Sequence, residues 1–223
     1  MNSLIIFDCD GVLIETEALA NQCEIEALQA LGHFFTWEEY LDISLGKHNH
    51  LVEAILKEKF QISLPSDFWK EIGLRQKRLF EQELIAVEGV KQAITSLSMP
   101  TCIASSSSLE RLHHTLKITE LFSHFDGRIY STESVSRGKP FPDIFLHAAK
   151  CMNTPPKNCF VIEDSLAGIE GALAAGMRVL AFGGGQHITP RMRQKLQNSG
   201  AYAFFDRMSG LGEIIAGQLQ NRI

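Results

Sequence analysis

The run Leu4-Ile5-Ile6-Phe7-Asp8-Cys9-Asp10-Gly11 decides how this chain is read. Four apolar residues, mostly β-branched or aromatic, suit a buried strand and are too few for a helix. Two carboxylates and a glycine follow with no spacer, so the strand delivers its charges to the point where it ends. The same punctuation recurs twice. Cys102-Ile103-Ala104 runs into Ser105-Ser106-Ser107-Ser108, and Phe160-Val161-Ile162 runs into Glu163-Asp164-Ser165.

Further short apolar runs lie at Arg128 to Tyr130, Arg178 to Phe182 and Ala201 to Phe205. Between the runs lie longer segments of helical periodicity: Leu109 to Lys117, Asp143 to Met152, Ser165 to Ala175 and Pro190 to Ser199. Strand alternating with helix predicts a doubly wound, Rossmann-like α/β core, a parallel sheet with helices on both faces. Residues 17 to about 83 break the alternation. Glu17 to Leu31, Thr36 to Leu45, Asn49 to Phe60 and Ser66 to Glu83 read as amphipathic helices. The expected organisation is a core of residues 1–15 and 84–223 with an all-helical insert at 16–83. Phe34, Phe35 and Trp37 are expected in the core of that insert, with a place lining the entrance as the alternative for one of them.

In an open parallel sheet the carboxyl ends of the strands form one rim, and ligands bind there. Asp8, Asp10, Ser105, Glu163 and Asp164 are therefore expected together. Lys139, in Gly138-Lys139-Pro140-Phe141-Pro142-Asp143, precedes a helix on a loop stiffened by prolines and is expected to join them. Carboxylates crowded into one cleft repel each other and want a cation. Oxygen-only ligands suit Mg²⁺, and no histidine is tied to the cluster, which disfavours zinc or copper. Two carboxylates in different surroundings divide their roles: one is a nucleophile on phosphorus, the other an acid and then a base. Gly11 lets backbone amides approach a phosphate, Ser105 donates to a phosphoryl oxygen, and Lys139 neutralises charge on both nucleophile and phosphate. Ser106 and Ser107 are further phosphate contacts. A polar turn at Asp8 and a helix cap at Glu163-Asp164 are the plainer readings, and the second is compatible with the first.

Composition sets the bounds. The 223 residues are 45% hydrophobic, enough for one sizeable core and a small accessory domain, and the net charge is -5. That balance argues against nucleic acid or an anionic membrane as partner. No stretch is long enough to span a bilayer, and the start does not read as a signal peptide. Five cysteines, odd in number and without C-x-x-C spacing, read as reduced thiols of a cytoplasmic protein. The oligomeric state is not readable; a monomer is compatible with every feature.

Together these residues resemble the haloacid dehalogenase-like superfamily, in its phosphatase and β-phosphoglucomutase-like branch. Asp8-Cys9-Asp10-Gly11-Val12 is similar to its first motif, Ser105 to the second, and Lys139 in Gly-Lys-Pro-x-Pro-Asp-Ile-Phe to the third. Glu163-Asp164-Ser165-x-x-Gly168-Ile169-x-x-Ala172-x-x-Ala175-Gly176-Met177 is similar to the fourth and is the most specific. The resemblance implies Asp8 as nucleophile and Asp10 as acid/base. It implies Mg²⁺ held by Asp8, the Asp10 backbone carbonyl and Asp164, with Glu163 near or acting through water, and it makes the helical insert a cap over a small phosphorylated substrate.

Departures narrow the activity. Asp10 disfavours dehalogenation. The cap histidine and arginine of β-phosphoglucomutases correspond to Ala20 and Asn49, which favours water as acceptor: a phosphatase acting through an aspartyl-phosphate, with a phosphosugar mutase as the alternative. On the insert, Lys47, His48 and His50 are the candidate substrate contacts, against a plain solvated loop. Gly183-Gly184-Gly185 lacks the lysine of a P-loop and reads as a flexible loop on the rim. A response-regulator-like receiver would also use strand-end carboxylates and Mg²⁺, but its phosphoaspartate lies on a later strand. A binding-only pseudoenzyme is disfavoured by intact Asp8, Asp10, Lys139 and Asp164.

Overall fold

The structure, a computed structural model, describes residues 3–44, 47 and 49–220. The chain divides into two compact units, Met1–Glu15 with Ile85–Ile223, and Thr16–Leu84.

The first unit holds six strands: β1 (Leu4–Phe7), β2 (Thr101–Ser105), β3 (Ile129–Ser131), β4 (Cys159–Glu163), β5 (Arg178–Phe182) and β6 (Ala203–Phe205). They form one sheet in the order β3-β2-β1-β4-β5-β6, every pair parallel. The order reverses at β1, which lies between β2 and β4, so the crevice where ligands bind opens at its carboxyl end. Each expected strand is present within one or two residues.

Alternation along the strands builds two apolar layers. Ile5, Phe7, Ile103, Phe160, Ile162, Leu180 and Phe182 enter one; Leu4, Ile6, Cys102, Ala104, Val161, Val179 and Ala181 enter the other. Burial of an aliphatic or aromatic side chain of this size stabilises by about 1.5–3 kcal/mol, so β1, buried on both faces, has a firmly fixed register. The second layer is covered by α8 (Asp143–Cys151), α9 (Leu166–Ala174) and α10 (Pro190–Gln197), close to the expected helices. The first is covered by α6 (Leu109–Ile118), which was expected, and by α5 (Val90–Ser96), α7 (Phe122–Phe125) and α11 (Leu211–Gln220), which were not.

The second unit comprises α1 (Thr16–Ala30), α2 (Trp37–Ser44), α3 (Asn49–Phe60) and α4 (Phe68–Glu83). Its core is Leu28, Tyr40, Ile43, Val52, Leu56, Ile62, Phe68 and Ile72. The buried Tyr40 hydroxyl donates to Glu24 at 2.7 Å, and the Gln76 amide donates to the same carboxylate at 2.9 Å. Phe34 departs from expectation. It is 74% exposed, because it sits in the irregular link between α1 and α2, where its neighbour Phe35 packs inward and Tyr40 fills the core.

No helix among the described residues is long and apolar enough to cross a membrane. All five cysteines are free thiols, and only Cys151 is exposed.

Candidate active site

Asp8 is the first residue beyond β1, and its N–H still donates to the Ile162 carbonyl at 3.0 Å. The ladder therefore carries the strand alternation one step further: Asp8 lies on the side of Leu4 and Ile6, toward α8 and α9. Glu163, the last residue of β4, lies on the same side by the same count. Behind Asp10 the chain turns sharply, with Gly11 N–H donating to Ile14 O at 2.8 Å and Leu13 N–H to Cys9 O at 2.9 Å. Gly11 makes that turn with φ +81°, a conformation that disfavours any side chain. A Cβ there would stand 2.0 Å from Asp164 Oδ2.

Lys139 enters from the loop before α8, its side chain only 6% exposed. Its ammonium stands 2.5 Å from Glu163 Oε1 and 2.9 Å from Asp8 Oδ1. The contact to Asp8 is an ion pair with a buried carboxylate oxygen. Glu163 is fully engaged: its Oε2 accepts from the N–H groups of Asp164 and Ser165 and from the Ser165 hydroxyl. The small residues of the fourth motif make room for this. A Cβ on Gly168 would stand 1.8 Å from Glu163 Oε1, and one on Gly171 would stand 3.0 Å from the Phe141 carbonyl of the Lys139 loop. Ser165 also caps α9 through Gly168 N–H.

Asp10 faces different partners. The Ser107 hydroxyl donates to its Oδ2 at 2.8 Å, the Ser105 hydroxyl approaches the same oxygen at 3.5 Å, and Arg111 stands 3.5 Å from Oδ1. Ser105, 1% exposed, accepts from Ser107 N–H. Ser106 is exposed, and its carbonyl accepts from Thr132. Within the serine run it is thus Ser107, not Ser106, whose side chain meets the carboxylates. Lys47 belongs to the second unit and donates to the Asp42 carbonyl at 3.1 Å; His48 lies outside the described residues.

Burial pushes the Asp8 carboxyl well above the usual carboxylate range; Lys139 draws it back, while Glu163, Asp164 and Asp10 push it further up. Burial does the same to Asp164, reinforced by Glu163. Burial works against the Lys139 charge, yet Asp8 and Glu163 together hold it above the ordinary lysine value. Asp8, Glu163 and Asp164 offer oxygen atoms within 4.8 Å of one another. One lysine cannot balance three buried carboxylates, and the donors are all oxygen, so the set fits a hard divalent cation such as Mg²⁺.

One expectation is corrected. A histidine is tied to the cluster: His187, 1% exposed, stands with Nε2 3.0 Å from Asp164 Oδ2. It lies on the loop after β5, and its pairing with Asp164 has no local signature in the sequence. The glycines before it are there for close packing and not for freedom. A Cβ on Gly183, Gly184 or Gly185 would stand 2.4, 2.3 or 2.7 Å from Phe204, the Asp206 carbonyl or His187. Arg111 was missed as well; the one sign of it was a basic residue in the first turn of the helix after the serine run.

The family model of the haloacid dehalogenase-like hydrolases matches residues 3–176. The 6-phosphogluconate phosphatase of Escherichia coli (strain K12) is 27% identical over 193 residues, covering 86% of this chain and 87% of that protein. The phosphorylated carbohydrates phosphatase of Thermotoga maritima is 31% identical over 182 residues, with 78% and 81% covered. Among solved structures, a conserved haloacid dehalogenase-like protein from Agrobacterium tumefaciens str. C58 superposes with a TM-score of 0.91 at 35% identity, over 98% of this chain and 100% of that one. A parallel sheet that gathers Asp8, Asp10, Lys139, Glu163 and Asp164 at one rim, and a family match across that rim, agree: the chain belongs to the haloacid dehalogenase-like hydrolases.

Proposed function

We propose that the chain is a magnesium-dependent phosphomonoester hydrolase that works through an aspartyl-phosphate on Asp8. The observation that carries this reading is the unequal pair of carboxylates. Asp8 sits against Lys139 and the other acids, while Asp10, two residues on, sits against Ser107 and Arg111. That difference lets one act as nucleophile and the other as proton carrier.

Asp8 attacks phosphorus in line, and the bond to the ester oxygen breaks as Asp10 gives its proton to that oxygen. Asp10 then takes a proton from water, which attacks the acyl phosphate, freeing phosphate and Asp8. The ion pair with Lys139 draws Asp8 toward the ionised form needed for attack and offsets charge on the phosphoryl group. Ser105 and Ser106 are the proposed phosphate contacts, Gly11 lets the backbone come close to the phosphate, and Ser107 holds Asp10 in place. Mg²⁺, held by Asp8, Asp164 and the Asp10 carbonyl with Glu163 acting through water, would supply charge neutralisation at the phosphoryl oxygens.

The proposed substrate is a small sugar or sugar-acid phosphate. The named activities of the Escherichia coli and Thermotoga maritima relatives support that class, and α1–α4 are proposed as a cap that selects it through Lys47 and His50. A cytoplasmic, monomeric enzyme is the accompanying proposal.

A panel of phosphorylated metabolites, assayed for phosphate release with and without Mg²⁺, tests the reading. Mg²⁺-dependent release from sugar phosphates is expected, and Asp8→Asn should abolish it. No turnover of any compound, including a generic aryl phosphate, would overturn it. Conversion of β-glucose 1-phosphate to glucose 6-phosphate would instead establish the mutase alternative.

A further inference from the structure

We propose that His187 is a positioning residue that fixes the Asp164 carboxylate for its cation. This inference rests on the metal assignment made for the proposed hydrolase and names a residue that none of its motifs contains.

Nε2 stands 3.0 Å from Asp164 Oδ2, within reach of a hydrogen bond from an imidazole N–H to the carboxylate. The imidazole itself is held between two backbones. A Cβ on Gly11 would stand 2.6 Å from His187 Cε1, and a Cβ on Gly185 would stand 2.7 Å from the same atom and 2.8 Å from the Gly11 carbonyl. The ring thus occupies space that Gly11 and Gly185 leave open by lacking side chains, and it is 1% exposed. Behind it the loop is anchored, with Gln186 N–H donating to the buried Glu15 carboxylate at 3.0 Å and Ile188 N–H to Gly185 O at 3.0 Å.

An aspartate turns readily about its last torsion. A bond from a ring enclosed in this way removes that freedom and sets the direction in which the carboxylate presents its lone pairs. Groups that orient ligands in this way, without touching the metal, govern metal affinity. Because the donor is an N–H, any side chain that offers one at the same point should serve.

The test measures Mn²⁺ binding to the purified full chain by electron paramagnetic resonance of the free ion, with Mg²⁺ as competitor and no substrate. The variants are His187→Leu, His187→Gln and Asp164→Asn. His187→Leu should weaken Mn²⁺ binding about 10–100-fold, and His187→Gln, which keeps an N–H near the Nε2 point, should recover most of the loss. A purely structural role would lower the melting temperature of His187→Leu and leave the affinity of the folded protein alone. Tight binding by His187→Leu beside a loss in Asp164→Asn would overturn the inference while the metal site stands. Tight binding by Asp164→Asn would overturn the metal site itself. Should His187→Leu not fold, ¹⁵N chemical shifts of the wild-type imidazole decide the matter. A protonated Nε2 whose shift moves when Mg²⁺ is added supports the proposal, and an unchanged imidazole overturns it.

Discussion

Replacing Lys139 with methionine isolates the charge at the centre of the rim. Methionine keeps most of the aliphatic length that lies by the Phe145 ring, 5.3 Å from the ammonium, and removes the cation. The ammonium faces Glu163 at 2.5 Å and Asp8 at 2.9 Å. At an effective dielectric constant near 20, each contact carries a gross attraction of about 6 kcal/mol, most of it offset by taking three charges out of water. Removing one partner leaves the others buried and unbalanced, which costs about 3–5 kcal/mol. For a chain of this size that is a fall of roughly 6–20 °C in melting temperature. The assay is thermal unfolding followed by circular dichroism in low salt with EDTA, at pH 5 and pH 8. The sign with pH follows from Asp8. Lys139 holds its carboxyl down against burial; without that charge the folded pKa rises further above the unfolded value of about 4. Such a group favours folding while it is protonated and loses that contribution as pH climbs from its unfolded toward its folded pKa. The deficit of Lys139→Met should therefore be larger at pH 8 than at pH 5. A melting temperature within about 3 °C of wild type, or a deficit larger at pH 5, would refute the reasoning.

Cation removal should show the same sign in the wild type. Burial raises both Asp8 and Asp164, so the metal-free protein should lose stability as pH rises above about 4. Mg²⁺ at about 100 times its Kd should restore about 2.7 kcal/mol, roughly 5–10 °C at pH 8 and less at pH 5, read by melts before and after EDTA dialysis. Gly11→Ala forces a Cβ to within 2.0 Å of Asp164 Oδ2 at φ +81°, and kcat for phosphate release should fall by about 100-fold or more. Asp10→Asn should slow steady-state turnover of an aryl phosphate by about 10²–10⁴ while Asp8 still attacks. A rapid-quench trace should then show a burst of aryl alcohol, and full steady-state activity would remove Asp10 from the proton transfers.

The sheet was legible because each strand is a short apolar run closed by acids, serines or glycines, as at Phe7-Asp8, Ala104-Ser105 and Ile162-Glu163. Their meeting at one rim followed from parallel topology alone. The helices α5 and α11 were not legible for different reasons. Val90–Ser96 spans only seven residues, too few for a 3.6-residue period to repeat, and Leu211–Gln220 packs on the sheet through Leu211, Ile214 and Ile215, little more than one turn of apolar spacing. Within the site, Asp8, Asp10 and Asp164 stood out because each breaks a hydrophobic pattern. His187 breaks none. What defines it is the absence of side chains on Gly11 and Gly185, and such pairings between distant segments leave no mark in either one. The role of Ser107 beside Asp10 was hidden for a simpler reason: four serines in a row look alike until the turn after β2 decides which hydroxyl faces Asp10.

The extension of the ladder through Asp8 makes length, more than identity, the constrained quantity in the first ten residues. Leu4, Ile5, Ile6 and Phe7 are all fully buried, and apolar exchanges of similar volume among them should be absorbed by small shifts in packing. A deletion or insertion of one residue inside the strand is another matter. Either would turn Asp8 toward the apolar layer beneath α5, α6 and α11, a deletion bringing Cys9 and an insertion Phe7 to face the Lys139 ammonium. The segment behaves like a reading frame: its letters can be respelled, but a shift of one garbles the message. Related chains should therefore differ freely in the spelling of this strand while keeping the count from its first buried residue to Asp8 fixed.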